Sequence, residues 1–151
     1  MKEYELKKLM DSLSLREKIG QLVQLDGGCF GAGELSTGPR SKLGIEPWVA
    51  DNAGSVLNVL GAEKVKDIQK RHLEHSRIPL LFMADVVYGY KTIYPIPLAL
   101  ACSWDMELVR QCAENTACEA APDGAQVTFS PMVDVVRDAR WGRCIESPGE
   151  D

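Results

Sequence analysis

The sequence predicts a parallel α/β fold. From about residue 62 to residue 133, apolar residues recur at helical spacing and then in short continuous runs, in alternation. The run from Leu80 to Val87 is apolar except for Asp85, which is typical of a strand buried on both faces. Helix, buried strand, helix, buried strand is the order of parallel βα units. Both an open doubly wound sheet and a closed barrel fit this order.

The N-terminal part of the chain predicts one helix, one short strand and a long loop. Ser14 and Glu17 form a Ser-x-x-Glu capping box that is followed by apolar residues at helical spacing. A first strand is expected near residues 22–25. Residues 26–61 are rich in glycine and proline, which predicts a long irregular loop. Within it, residues 27–33 do not match Gly-x-Gly-x-x-Gly in register, so a dinucleotide site is not expected.

The rest of the chain predicts two helices around a buried strand. An amphipathic helix is expected over residues 62–77, and His72 on its apolar stripe is expected to be a partly buried, hydrogen-bonded side chain. A proline-interrupted connection follows the strand, from Lys91 to Leu100. The next helix is predicted over residues 105–121, and a further β-rich segment over residues 126–133.

Composition and charge restrict the class of partner. The chain has 151 residues, 45% of them hydrophobic, which suits one domain with a buried core. Seventeen Lys and Arg stand against 22 Asp and Glu, and the pI is about 5.1. An acidic surface repels polyanions, so nucleic acid and anionic membranes are not expected as partners. A neutral ligand is favoured.

The sequence also bears on the cellular compartment. No apolar run approaches the roughly 18 residues of a membrane span, and the first ten residues carry charges where a signal peptide needs an apolar region. The expectation is a soluble, cytoplasmic protein, with a periplasmic or secreted location left open if the N-terminus is processed. The five cysteines include no Cys-x-x-Cys pair, which predicts neither a disulfide framework nor a zinc site and favours a reducing compartment.

Polar residues stand at the carboxyl ends of the predicted strands, where ligands meet parallel sheets. Asp85 has this position after one strand, and the loop Asp134–Arg143 follows the next. A carboxylate can accept hydrogen bonds from two adjacent sugar hydroxyls, and a guanidinium can donate to sugar oxygens. Asp85 and Arg143 are therefore the candidate sugar ligands. The alternative for Asp85 is a helix cap or turn, and Arg143 could instead form an ion pair with a nearby acid, namely Asp138, Glu146 or Asp151.

Two segments carry a family resemblance. Residues 85–105, which begin Asp-Val-Val-Tyr-Gly-Tyr-Lys-Thr, and residues 137–151, which begin Arg-Asp-Ala-Arg-Trp-Gly-Arg, resemble the N-terminal signatures of glycoside hydrolase family 3, in its β-glucosidase branch. The opening Leu-Arg-Glu-Lys-Ile-Gly-Gln from Leu15 is similar to the start of that family. The departures are Tyr88, where the motif often has histidine, and Ala139, where it usually has proline.

The resemblance implies a retaining exo-acting β-glycosidase whose first domain is a (β/α)8 TIM-type barrel. Residues 1–151 would be an incomplete N-terminal portion of that barrel, with about the first three βα units. Asp85 and Arg143 would bind the terminal glucosyl ring, and Lys91 is a weaker candidate for the same role. The nucleophile and the acid/base are expected beyond Asp151, so no catalytic residue is assigned, and no metal or cofactor is expected.

The resemblance also implies the partners and leaves alternative functions open. The partners would be a small β-glucoside substrate and the remainder of the same polypeptide, or a complementary chain. The first alternative is a non-catalytic sugar-binding or assembly module derived from the same barrel. The second is a β-xylosidase of the same family.

Overall fold

The structure, a computed structural model, describes residues 2–31 and 44–149. The described residues divide into two compact units. The first unit holds the residues up to Val59 together with Glu63–Met83. The second unit holds Leu60–Ala62 and the residues from Ala84 onward. The α/β prediction is confirmed, because helices alternate with parallel strands along the chain.

The N-terminal part of the chain contributes helices α1 (Glu3–Ser12), α2 (Leu15–Gly20), α3 (Pro47–Asn52) and α4 (Ala62–His72), and strands β1 (Gln24–Asp26), β2 (Ser55–Leu57) and β3 (Leu81–Ala84). The C-terminal part contributes helices α5 (Pro97–Ala101) and α6 (Met106–Ala120) and strand β4 (Val127–Thr128). Short 3-10 turns cover Gly27–Phe30 and Cys144–Glu146. None of the helices in the described ranges is long and apolar enough to cross a membrane.

The strands of the first unit pair in parallel. In register, Leu25 of β1 lies opposite Val56 of β2, and Val56 lies opposite Phe82 of β3. Within the second unit, the Phe129 amide donates to the Ala84 carbonyl over 3.2 Å, directly after β4. The strand order is β1-β2-β3-β4, the order of the sequence, which is the order of strands around a barrel rather than that of a doubly wound sheet.

The hydrophobic core of the first unit is built on β2 and β3. Phe82 is the largest of the fully buried side chains, with 1% of its surface exposed. Its neighbours in the core are Leu25, Ala53, Val56, Val59, Ile68 and Leu80. The alternation of buried and exposed side chains along β3 places Leu81, which is 46% exposed, on the opposite face.

The predicted capping box at the start of α2 is present. The Ser14 hydroxyl accepts from the Glu17 amide over 3.2 Å, and the Ser14 amide donates to the Glu17 carboxylate over 2.7 Å. Such a cap stabilises a helix by about 0.5–2 kcal/mol. In the same way, the Asp105 side chain caps α6 by accepting from the Leu108 amide over 3.0 Å. The start of α2 was predicted from its capping box, whereas α6 was predicted from helical spacing alone.

The prediction of one long irregular loop over residues 26–61 is wrong in its second part. Residues 47–52 form α3 and residues 55–57 form β2, while residues 32–43 lie outside the described residues. Three-residue β2 is too short to show a period, and its buried position between two strands compensates for weak local signals. Helix α1 was also not predicted. None of its residues is buried, so it has no apolar stripe in contact with a core.

The remaining elements occur where expected but are shorter. The helix predicted over residues 62–77 ends at His72, and the strand predicted over 80–87 covers only Leu81–Ala84. A short helix, α5, interrupts the predicted connection after Lys91. The β-rich segment 126–133 reduces to the two residues of β4. Apolar runs mark the location of buried strands better than their ends, because loop residues beside a core are apolar as well.

His72 is buried, with 5% of its surface exposed, and its Nε2 lies 3.0 Å from the Ile78 carbonyl oxygen. This is the structural role that the sequence predicted. Burial lowers the pKa of His72 below the ordinary 6.5, against the raising effect of the Ile78 carbonyl. The unfolded chain therefore binds a proton more readily than the folded chain just below pH 6.5.

We expect the free energy of unfolding to decrease as the pH falls below 6.5, and to be independent of this group above that pH. In His72→Gln this part of the pH dependence should disappear. The matched control is His75→Gln, because His75 is exposed on the same segment and its replacement should keep most of the dependence. Urea unfolding at a series of pH values measures both. Identical profiles for wild type and His72→Gln would contradict the prediction.

Candidate functional site

The candidate site is built around Asp85, the first residue after β3. Its side chain is exposed, and no described residue donates a hydrogen bond to its carboxylate. Its backbone is held firmly, because the carbonyl oxygen accepts hydrogen bonds from the hydroxyls of Thr128, over 3.0 Å, and Ser130. The carboxylate is therefore available to a ligand at the carboxyl end of a parallel strand, which is where α/β folds bind ligands.

The chain turns sharply after Asp85. Val86 has a φ of 43°, which is rare for a β-branched residue, and Gly89 has a φ of 99°. A Cβ atom on Gly89 would lie 2.0 Å from the Thr92 carbonyl oxygen, so only glycine fits this position. The Tyr94 amide donates to the Tyr88 carbonyl over 2.8 Å and closes the turn. We call residues 86–94 the strand-end loop.

Glu119, near the end of α6, anchors the strand-end loop. Its carboxylate accepts from the amides of Lys91 and Thr92, over 2.9 and 2.8 Å, and from the Thr92 hydroxyl over 2.6 Å. These hydrogen bonds, first of all that from the Thr92 hydroxyl, lower the pKa of Glu119. A carboxylate is electrostatically unfavourable in the last turn of a helix, so the loop donors compensate for the helix dipole.

Lys91 belongs to the same anchor. Its ammonium lies 2.9 Å from a carboxylate oxygen of Asp123, which also accepts from the Tyr90 hydroxyl over 2.8 Å. The Lys91 ammonium, and then the Tyr90 hydroxyl, lower the pKa of Asp123. Lys91 thus has an ion-pair partner, Asp123, in the turn that follows α6. The expected role of Lys91 as a third sugar ligand stays a prediction.

Arg143 lies at the start of the 3-10 turn Cys144–Glu146. Its Nε donates to a carboxylate oxygen of Glu146 over 3.0 Å, and its Nη2 contacts the same oxygen. Of the two possible partners within the described residues, Glu146 pairs with Arg143 and Asp138 pairs with Arg140, while Asp151 lies outside the described residues. The arginine side chain is 53% exposed and that of Glu146 only 18%. Glu146 therefore orients the guanidinium, while about half of the arginine side chain remains exposed to solvent.

The charge of Asp85 acts on Arg143. Hydrogen bonding to Glu146 is the main reason why the pKa of Arg143 is raised, and the carboxylates of Asp85 and Asp134 raise it further. The two predicted sugar ligands therefore interact electrostatically, and their joint role in binding a sugar stays a prediction. A pyranose ring presents both hydroxyl donors and oxygen acceptors, and this carboxylate and guanidinium complement them.

The loop Asp134–Arg143, which carries three arginines, is held by contacts within itself and with the residues that follow it. Arg140 forms an ion pair, with Nη2 2.6 Å from a carboxylate oxygen of Asp138. The Ser147 hydroxyl, fully buried, donates to the Asp134 carbonyl over 2.8 Å. Trp141 is 37% exposed and its amide donates to the Asp138 carbonyl over 3.1 Å. These contacts fix the backbone on which Arg143 stands.

A cavity of about 520 Å³ also lies within the second unit, and its lining is mostly apolar. One face of α6 lines part of this cavity, through Val109, Cys112, Ala113, Thr116 and Ala117. Neither Asp85 nor Arg143 lines this cavity. Its surface suits packing against apolar groups rather than recognition of a sugar. In the described ranges, no group of His, Cys, Asp or Glu side chains is arranged to hold a metal ion.

Comparison with known proteins gives consistent matches. Residues 14–151 match the model described as the glycosyl hydrolase family 3 N terminal domain. The chain is 39% identical over 147 residues to a periplasmic β-glucosidase of Salmonella typhimurium, covering 95% of this chain and 18% of that protein. It is 32% identical over 158 residues to a putative β-xylosidase of Formosa agariphila, covering 95% and 21%.

Solved structures agree. The crystal structure of β-glucosidase from Listeria innocua in complex with isofagomine matches with a TM-score of 0.89 and 48% identity, over 100% of this chain and 21% of that chain. The same protein in complex with glucose matches with a TM-score of 0.90 and 46% identity, over 100% and 22%. The chain thus spans about a fifth of the length of the relatives that it matches.

The class that the fold and these matches define is that of the glycoside hydrolases. The chain belongs to glycoside hydrolase family 3, and its α/β fold is that of the N-terminal barrel domain of the solved family members. The resemblance inferred from the two signatures is confirmed.

Sequence reasoning missed the residues that support the site. Glu119 and Asp123 hold the strand-end loop from positions about 30 residues further along the chain. Thr128 and Ser130 hold the Asp85 carbonyl from positions 43 and 45 residues away. Contacts of this range leave no local pattern. One sequence signal could have indicated them: Glu119 and Asp123 stand at the end of a predicted helix, where a negative charge is unfavourable unless hydrogen-bond donors or cations compensate for it.

Proposed function

We propose that this chain is the N-terminal portion of the barrel domain of a retaining exo-β-glycosidase, β-glucosidase-like, that hydrolyses terminal β-D-glucosyl residues. The observation that carries the proposal is the exposed Asp85 carboxylate at the carboxyl end of parallel strand β3, where no described residue donates a hydrogen bond to it. A charge interaction between Asp85 and Arg143 supports it. The Listeria innocua β-glucosidase, with 46% identity in its glucose complex, supports glucose as the sugar.

In this proposal the chain supplies part of the glycone-binding subsite. Asp85 accepts hydrogen bonds from adjacent hydroxyls of the terminal ring, and Arg143, held by Glu146, donates to its oxygens. Such contacts accelerate hydrolysis when they strengthen as the ring approaches its oxocarbenium-like transition state. Lys91, in the strand-end loop, is proposed as a weaker ligand of the same sugar ring, beside its ion pair with Asp123.

The reaction itself needs a nucleophilic carboxylate and an acid/base carboxyl group about 5–5.5 Å apart. We place both in the polypeptide beyond Asp151, which makes that remainder, or a complementary chain, a required partner. The support is the share of the relatives that this chain spans, about a fifth. No metal or cofactor enters the proposed mechanism.

The test compares the purified 151-residue chain with the full-length polypeptide on an aryl β-glucoside. We expect hydrolysis by the full-length polypeptide and none above the uncatalysed rate by the chain alone, because the reacting carboxyls are absent from it. The control is the mixture of the chain with the separately produced remainder, which should recover activity if the two parts associate. Enzyme-level hydrolysis by the isolated chain would contradict the proposal.

A β-xylosidase is the second candidate function, because the Formosa agariphila relative is described as a putative β-xylosidase at 32% identity. A xyloside lacks the hydroxymethyl group of a glucoside, so the two substrates differ at the rim of the ring. The ratio of kcat/KM for the aryl β-glucoside and the aryl β-xyloside of the same leaving group decides between them. A ratio above one supports the glucosidase.

The compartment is part of the same proposal. The Salmonella typhimurium relative is described as periplasmic. This favours the periplasmic alternative over the cytoplasmic expectation drawn from the charged N-terminus. Fractionation of cells that produce the full-length polypeptide, with the activity assayed in each fraction, tests it.

A further inference from the structure

Two hydroxyl groups converge on the backbone carbonyl of Asp85. The Thr128 hydroxyl donates to this oxygen over 3.0 Å, and the Ser130 hydroxyl donates to it as well. The two hydroxyl oxygens lie 3.0 Å from each other. The Ser130 amide donates to the Thr128 hydroxyl oxygen over 3.1 Å, which fixes the direction of the Thr128 hydroxyl group.

These hydroxyls supply the next hydrogen bonds after the last backbone hydrogen bond between β3 and the β4 segment. The Phe129 amide donates to the Ala84 carbonyl, which is the last residue of β3. The next carbonyl, that of Asp85, receives side-chain donors instead of a backbone amide. The side chains of Thr128 and Ser130 therefore hold the one peptide group that leads from the strand into the candidate ligand site.

The backbone beside Asp85 makes this support necessary. Val86 has a φ of 43°, a conformation that β-branched residues rarely adopt. The far end of the strand-end loop is anchored by Glu119. Between the unfavourable Val86 conformation and the regular strand, the hydroxyl contacts set the orientation of the Asp85 peptide, and with it the direction of the carboxylate.

We propose that Thr128 is a positioning residue of the glycone subsite: its hydroxyl, with Ser130 as a second donor, fixes the Asp85 peptide so that the carboxylate points at the sugar. This inference rests on the proposed function, because it needs Asp85 to bind the terminal ring. A purely structural role is the competing explanation, in which the hydroxyls only terminate the strand pairing.

The experiment is a double-mutant cycle in the full-length enzyme. Thr128→Val keeps the side-chain shape and removes the hydroxyl, whereas the matched control Thr128→Ser keeps the hydroxyl and removes the methyl group. Each is made alone and together with Asp85→Ala. The measurements are the inhibition constant of glucose and kcat/KM for an aryl β-glucoside, with the melting temperature as the record of folding.

Thr128→Val is expected to weaken inhibition by glucose about 3- to 10-fold, the usual effect of one lost neutral hydrogen bond. Thr128→Ser should stay within about 2-fold of wild type. In the Asp85→Ala background, Thr128→Val should cause no further loss, because the group it positions is gone. If Thr128→Val does not fold, Ser130→Ala takes its place in the same cycle.

Other results overturn the inference. An equal loss from Thr128→Val in the presence and absence of the Asp85 carboxylate would show that the hydroxyl acts elsewhere. A lower melting temperature with unchanged inhibition by glucose would show a structural role. If Asp85→Ala alone leaves both inhibition and hydrolysis unchanged, the assignment of Asp85 to the glycone subsite fails, and this inference fails with it. The single mutant therefore separates failure of the proposed function from failure of the positioning role.

Discussion

Replacing Asp85 with alanine in the full-length enzyme is expected to lower kcat/KM for an aryl β-glucoside by about 100- to 10,000-fold. The carboxylate is exposed, and no described residue donates a hydrogen bond to it, so its replacement breaks no such contact that the fold needs. The loss is that of two charge-assisted hydrogen bonds to the sugar, each contributing about 1.5–3 kcal/mol. Steady-state kinetics measures it.

The control for this prediction is Asp67→Ala. Asp67 is an exposed aspartate on α4, in the first unit, and its removal changes the net charge by the same amount. It should leave kcat/KM within about 2-fold of wild type, as surface substitutions usually do. A loss of less than about 3-fold for Asp85→Ala, measured beside this control, would remove Asp85 from the glycone subsite.

The second large effect is expected from Phe82→Ala, which should reduce the free energy of unfolding by about 3–5 kcal/mol. Phe82 is almost fully buried in the core of the first unit, so its replacement leaves a cavity that its neighbours fill only in part. Equilibrium urea unfolding, followed by fluorescence or circular dichroism, gives the value.

Leu81→Ala is the matched control, because Leu81 is the neighbouring residue of β3 and faces the other way, 46% exposed. Its loss should be about 1 kcal/mol or less. Equal losses from the two substitutions would show that β3 is not buried as the structure describes. The comparison also tests the alternation of faces on which the position of Asp85 depends.

The helices and strands that could be predicted are those whose sequence pattern lies within a few neighbouring residues. The capping box of Ser14 and Glu17 marks the start of α2, and an apolar stripe at helical spacing marks α6. Strand β3 was identified from an apolar run with one aspartate near its end. In each case neighbouring residues make the contact or share the face that defines the element.

The parts that were not predictable depend on distant contacts. Strand β2 has three residues, and it exists because β1 and β3 pair with it on both sides. Its short sequence between glycines resembles a loop. Helix α1 is different, because Leu6, Leu9, Met10 and Leu13 recur at helical spacing and could have predicted it, although none of its residues is buried. Local sequence cannot report stability that is supplied by partners far along the chain.

The candidate site shows the same division. Asp85 and Arg143 were selected from their places after strands and from the family signatures, and the charge of Asp85 contributes to the raised pKa of Arg143. The residues that hold them could not be selected in this way. For Arg143, sequence left Glu146 and Asp138 equally eligible within the described residues, and only the geometry distinguishes them. Pairings between a loop and a helix are decided by the fold as a whole.

The openness of Arg143 and Asp85 has a consequence for affinity. Both groups are exposed to solvent, so a sugar bound by them in the proposed subsite would displace water, and every hydrogen bond gained would replace one to water. Opposite charges also attract more weakly in a high-dielectric surrounding than in a dry one. Tight binding of a monosaccharide therefore requires a protein surface that closes over these groups and excludes solvent, and this half of the subsite alone would hold glucose only weakly.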